Sequence, residues 1–134
     1  MSNYIFGKRS ESCIATIHPD LTAVLRRGLE LSPYDFGVIE GARTYERQVD
    51  LFNAGDSTTT NSEHLAKADG YSHAADILAY VDGKHTYEHK YYRKVIQSLF
   101  TAAIELGVQI EVGALWRDFL DSPHIQLNQD YRDA

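Results

Sequence analysis

The sequence is poor in the residues that staple a small fold covalently, since Cys13 is its only cysteine. One thiol forms no intrachain disulfide and rules out a thiolate-rich zinc site, so the chain has no need of an oxidising compartment. Runs of lysine or arginine are also missing. With a formal net charge of -6 the chain suits the phosphate backbone poorly, and nucleic acid is not an expected partner. No apolar run approaches the roughly 18 residues of a membrane span. The opening "MSNYIFGKRSESC" has no apolar stretch behind its charges, so a signal peptide is not expected either. Internal repeats and low-complexity tracts are absent. What remains is 134 residues, 43% hydrophobic and 24% charged, which is the make-up of one globular domain with a real core.

Apolar spacing sets the expected elements. "PDLTAVLRRGLELS" puts Leu21, Val24, Leu25 and Leu29 on one face and Arg26, Arg27 and Glu30 opposite, which predicts an amphipathic helix. After the "SPYD" turn, "FGVIEGAR" reads as a strand, and Thr44 can cap a helix "YERQVDLFNA" that stops at Gly55. Arg43 thus falls at a strand-to-helix junction. The polar "NAGDSTTTNSEH" has the make-up of a flexible loop. Beyond it, "HAADILAYV" alternates like a half-buried strand, and Asp82-Gly83 supplies a tight turn. A long helix follows from about Tyr87 to Leu106, with Tyr91, Val95, Leu99, Ala102 and Leu106 recurring on one face and Gly107 ending it. "VQIEVG" and "HIQL" read as the last two strands. This order predicts an α+β domain, with helices packed on a small, mostly antiparallel sheet.

Six histidines, His18, His64, His73, His85, His89 and His124, are the first candidates for metal ligands, although a histidine taken singly is more often a surface or structural residue. Context singles out three positions. His64 follows Ser62 at the end of the polar loop, Asp76 stands inside a strand among apolar neighbours, and His124 opens the terminal strand. Two imidazoles and one carboxylate are the protein ligands of a catalytic zinc, which keeps its fourth position for water. The blander reading of Asp76 is a strand-edge aspartate facing solvent, but aspartate is depleted in strands and this one sits in "AADIL". Asp121, three residues before His124 with Pro123 stiffening the link, is on its spacing either a base beside the metal or a plain turn residue. Arg43 is either a binder of a substrate carboxylate or developing oxyanion, or an ion-pair partner of Glu46 or Glu40. Gln48, one helical turn on, is spaced to orient it. The tyrosines near Tyr87 and Tyr91, with Trp116, are assigned to core or cleft wall.

In chain order, "GARTYERQ" (41–48), "SEHLAKADGYSHAADI" (62–77) and "LWRDFLDSPHIQL" (115–127) resemble the zinc D-alanyl-D-alanine carboxypeptidase-like peptidases of bacterial cell walls. Within them the chain is most similar to the small phage endolysins that act as L-alanyl-D-glutamate peptidases. Gly41, Arg43, Thr44 and Gln48 match the family's first block, Ser62, His64, Ala74 and Asp76 its second, and Asp121 and His124 its third. The resemblance covers roughly residues 30 to 127. It implies the small α+β fold shared with the hedgehog signalling domain and with D-alanyl-D-alanine peptidases. It also implies Zn2+ on His64, Asp76 and His124, with Asp121 as general base and Arg43 stabilising the transition state. Gln48 and Ser62 would orient these groups or bind substrate. In the family's compact motif the first histidine and the aspartate stand seven apart with a glycine between. Here they stand twelve apart, with Ser72 in the glycine's place, and a five-residue insertion around "AKADG" accounts for the difference. His73 is a rival ligand to His64, disfavoured because strand alternation sets residues 73 and 76 on opposite faces.

The function so implied is a zinc-dependent peptidoglycan peptidase, one peptidase domain over residues 1–134, cutting the L-alanyl-D-glutamate bond of the stem peptide. The alternatives are a D-alanyl-D-alanine carboxypeptidase or dipeptidase on the same fold, and a non-catalytic wall-binding module that keeps the metal. Asp121 and Arg43 speak against the second, because a pure binder needs no base. An endolysin of this kind is expected to be a monomer made in the host cytoplasm. Its expected partner is peptidoglycan, reached after a separate holin-type protein permeabilises the membrane.

Overall fold

The computed structural model describes residues 3–55, 57, 62–112 and 124–131. Their elements run α1 (Lys8–Ile14), α2 (Pro19–Leu31), β1 (Asp35–Glu40), α3 (Tyr45–Asn53), β2 (Ala74–Val81), β3 (Lys84–Thr86), α4 (His89–Leu106), β4 (Ile110–Val112) and β5 (His124–Leu127). The fold is α+β. Helix α2 begins where His18 Nδ1 accepts the Asp20 N–H at 3.0 Å and Pro19 takes the first turn, where its missing N–H costs nothing. Thr44 caps α3 by accepting the Arg47 N–H at 3.1 Å. Gly107 ends α4 in the left-handed region at φ 70°, a conformation strained for residues with a Cβ.

Strands β1, β2, β5 and β4 lie side by side in that order, each pairing antiparallel, and β3 folds back on the C-terminal part of β2. The β2–β3 turn is the expected Asp82-Gly83, both with positive φ, as a two-residue hairpin of this twist requires. Alternation divides the sheet into two faces. Ala75, Ile77 and Ala79 of β2 and Ile125 and Leu127 of β5 join Leu21, Val24 and Leu25 of α2 and Val95 and Leu99 of α4 in one core. Each large aliphatic side chain in that core contributes about 1.5–3 kcal/mol. Tyr92 is wholly buried with them, and its hydroxyl accepts the Ala79 N–H at 3.1 Å and donates to the Thr86 carbonyl at 2.9 Å. The opposite face carries Asp76, His124 and Gln126, which are only partly buried.

Two details depart from the expected pattern. The buried stripe of α4 starts at Tyr92, not Tyr91, and continues through Val95, Ile96, Leu99, Ala102 and Ala103, while Leu106 is 46% exposed. Tyr91 sits one position round the helix, at the rim of the core, edge-on to Tyr34 with ring centroids 4.9 Å apart. Helix α1 and strand β3 were not expected at all. The seven residues of α1 bury only Ile14, so they have no apolar period to read. Tertiary contacts hold α1 instead: Ser10 Oγ accepts the Val38 N–H at 3.1 Å, and Arg26 pairs bidentately with Glu11 at 2.7 and 2.8 Å.

Candidate metal centre

The sheet register brings the first two groups together. Asp76 on β2 lies directly opposite His124 on β5, so both side chains rise from the same face. On the other side of β2 the register slips by one residue. Val38 faces Ile77 and Glu40 faces Asp76, which makes Ile39 a bulge and turns Glu40 towards the same place.

His64 arrives from the loop before β2 and is stitched to the end of β1. Its N–H donates to Ser62 Oγ at 3.1 Å, its carbonyl accepts the Arg43 N–H at 2.8 Å, and its ring Nδ1 meets the Gly41 carbonyl at 2.8 Å. The inserted residues do not separate His64 from Asp76, because they close on themselves. Lys67 N–H donates to the Tyr71 carbonyl and Gly70 N–H to the Lys67 carbonyl, both at 2.9 Å. Ser72 is buried, with its Oγ bonded to Ala74.

Three side-chain atoms meet as a result. His64 Nε2 is 3.1 Å from Asp76 Oδ1 and 3.1 Å from His124 Nδ1, and His124 Nδ1 is 3.2 Å from Asp76 Oδ1. The ring protons are assigned by their outer partners. A carbonyl only accepts, so His64 carries its proton on Nδ1, towards Gly41. Gln126 gives its amide N–H to Glu111 Oε2 at 3.1 Å, so its Oε1 faces His124 Nε2 at 2.7 Å and the proton of His124 lies there. In the neutral rings all three converging atoms are therefore lone-pair donors with no hydrogen between them, an arrangement that calls for a cation. The edges are close to the roughly 3.3 Å expected between ligands of a tetrahedral zinc with bonds of about 2.0–2.1 Å. Donor set, spacing and outer hydrogen bonds all fit zinc.

Positive charge is favoured at the same place, whether as an ion or as a second proton on a ring. Burial alone would push the Asp76 carboxyl up, but the hydrogen bonds and charges of His124 and His64, once either ring takes that second proton, outweigh it and hold Asp76 well below the usual carboxylate range. Burial likewise pulls the His124 imidazole down, and the hydrogen bond and charge of Asp76 reverse this, leaving it above the ordinary histidine value. Arg43, with its side chain only 9% exposed, completes the cluster. Its Nε donates to Glu40 Oε1 at 2.7 Å and its Nη1 to Gln48 Oε1 at 2.6 Å, which turns Nη2 to within 3.8 Å of Asp76 Oδ2. Gln48 is fully buried and donates onward to Ser57 Oγ at 2.8 Å.

His64, Asp76, His124, Arg43, Gln48 and Ser62 thus lie in one connected group, while Asp121 and Trp116 fall outside the described residues. His73 is not part of it. Its Nε2 donates to Asp69 Oδ2 at 2.7 Å, and His18 Nε2 lies 3.8 Å from the same oxygen, which makes a second histidine–aspartate–histidine cluster. A cavity of about 590 Å³ opens beside that second cluster, lined by His18, Lys67, His73 and Gln129 among others. The sequence reading missed this cluster, and only the four-residue spacing of Asp69 and His73 hinted at it. It also missed Gln126 and Glu111, although strand alternation puts Gln126 on the same face as His124.

Comparison with known proteins points one way. The family model described as phage L-alanyl-D-glutamate peptidase matches residues 1–128. The L-alanyl-D-glutamate peptidase of Escherichia phage T5 is 34% identical over 118 residues, 85% of this chain and 82% of that protein. The crystal structure of the Serratia marcescens L-Ala D-Glu endopeptidase ChiX superposes with a TM-score of 0.80 at 36% identity, covering 94% of this chain and 92% of that one.

Proposed function

This chain belongs to the phage L-alanyl-D-glutamate peptidase family, and from that premise we propose that it hydrolyses the L-alanyl-D-glutamate bond of cell-wall stem peptides at a zinc ion held by His64, Asp76 and His124. The observation that carries the metal assignment is the meeting of three lone pairs 3.1–3.2 Å apart with both ring protons turned outward. Zinc held there would supply Lewis acidity and bring the pKa of water down towards neutrality. Asp121 is assigned the base that would take the proton of the attacking water and pass it to the leaving amine. Arg43, fixed by Glu40 and Gln48, directs positive charge at the site where the carbonyl oxygen becomes anionic. Gln48 and Ser62 orient Arg43 and His64, not the substrate. Action as a monomer and delivery from the host cytoplasm by a separate holin-type protein belong to the same proposal.

Digestion of purified peptidoglycan tests it. New N-terminal D-glutamate is expected, with activity lost to a chelator and restored by zinc. Free D-alanine as the sole product moves the chain to carboxypeptidase chemistry. Asp121→Ala should lower turnover by about 10²–10⁴-fold with zinc retained, and full activity in that variant removes Asp121 as the base.

A further inference from the structure

We infer that Gln126 and Glu111 are positioning residues that fix the tautomer of His124, and so decide which of its nitrogens is offered to a metal. The inference rests on the metal reading above but is carried by a separate set of contacts. On β5 the two-residue spacing sets His124 and Gln126 on one face, and Gln126 lies in register with Glu111 of β4. The Glu111 carboxylate is held from both sides, with Oε2 accepting from Gln126 Nε2 and Oε1 from Asn128 Nδ2, each at 3.1 Å.

A carboxylate has no hydrogen to give, so the Gln126 amide can satisfy it in only one orientation. Turned over, the amide would set its oxygen against Glu111 and its N–H against the Nε2–H of His124, and two hydrogen bonds would become two repulsions. The polarity of the relay is therefore fixed from its far end. Glu111 orients Gln126, Gln126 Oε1 keeps the proton of His124 on Nε2, and the Nδ1 lone pair is left facing Asp76 and His64. In the opposite tautomer the Nδ1 proton would occupy the place of the ion. Glu111 thus acts on the site without touching it. Outer partners of a metal-bound histidine typically account for about 10–100-fold in metal affinity, and the same range is expected here.

The experiment uses the full chain with ¹⁵N-labelled histidine. The metal-free protein, held at a pH high enough to leave the ring neutral, reports the His124 tautomer by NMR, and competition with a chromogenic chelator reports zinc affinity. Gln126→Ala is expected to mix the tautomers and weaken zinc by about 10–100-fold. The exchanged pair, Gln126→Glu with Glu111→Gln, keeps an acceptor on His124 and a donor–acceptor match across the strands, and it should restore the Nε2–H tautomer and most of the affinity. Thermal midpoints confirm that each variant is folded. An unchanged tautomer or unchanged zinc affinity in Gln126→Ala overturns the inference, as does an exchanged pair no better than Gln126→Ala. If the wild type takes up no zinc, the metal reading fails, and the metal-free tautomer still decides for or against the relay.

Discussion

Two clusters of the same three side chains stand within one chain, His64 with Asp76 and His124, and His18 with Asp69 and His73. By composition alone either is a metal site. In the first cluster the ring protons are drawn outward, to the Gly41 carbonyl and to Gln126, and lone pairs face one another. In the second they point inward. His18 spends its Nδ1 lone pair on the Asp20 N–H at the start of α2, so the neutral ring carries its proton on Nε2, towards Asp69. His73 Nε2 donates to the same carboxylate oxygen. A metal on His18 Nε2 would have to break the helix cap. One cluster presents lone pairs that could hold a cation, and the other is already satisfied by its own hydrogens.

The sharpest way to break this contrast is to count zinc. One ion per chain is expected, lost in His64→Ala and kept in His73→Ala. The loss in His64→Ala should exceed the about 10–100-fold that removal of an outer partner costs, because a ligand itself is gone. Metal analysis after dialysis and a chelator competition give both numbers. Two ions in the wild type, or zinc retained by His64→Ala and lost by His73→Ala, would reverse the roles of the clusters.

A smaller effect is expected at Gly41, whose carbonyl turns the His64 proton outward. A Cβ there would stand 2.6 Å from the Cys13 carbonyl oxygen and 2.5 Å from Thr16 Oγ1, which itself accepts the Ala42 N–H at 2.8 Å. Neither neighbour is a flexible chain end, so the backbone must shift and take its carbonyl with it. Gly41→Ala should cost about 1–3 kcal/mol of stability and weaken zinc by about 10–100-fold. Lost stability with unaltered zinc affinity would leave Gly41 a packing residue only.

What could be read beforehand follows from which interactions are local. The alternation in "HAADILAYV" and "HIQL" is a short-range signal, and β2 and β5 are where it puts them, with Asp76 and His124 on the face away from the core. The capping of α3 by Thr44 and the halt at Gly107 are local in the same way. The meeting of His64 with Asp76 and His124, 12 and 60 residues away, is not: the ligand chemistry of two imidazoles and a carboxylate suggested the grouping, and the resemblance of three ordered blocks supported it. The bulge at Ile39 carries no glycine or proline to announce it, yet it turns Glu40, and through it Arg43, to the cluster. The outward protons depend on Gly41 and Gln126, whose roles exist only once the sheet and loop are assembled.

The smallest effect lies in the second cluster, and pH isolates it. Burial pushes the Asp69 carboxyl up, but the Tyr71 N–H, the hydrogen bond from His73 and the charges of His73 and His18 outweigh it and hold it below its ordinary value. A carboxyl lowered on folding stabilises the fold above its unfolded pKa of about 3.9 and loses that contribution as pH falls through the lower folded value. Asn cannot titrate, so Asp69→Asn lacks this dependence. The wild type should therefore exceed Asp69→Asn by no more than about 1 kcal/mol above pH 4 or so, as suits a partly exposed pair. The gap should close as pH drops below that. Thermal midpoints of both proteins across the acid range measure it, with zinc content unchanged between them. A gap that persists at low pH would mean that Asp69 acts by packing rather than by charge. Zinc lost with Asp69 would return this cluster to the metal sites from which its inward protons exclude it.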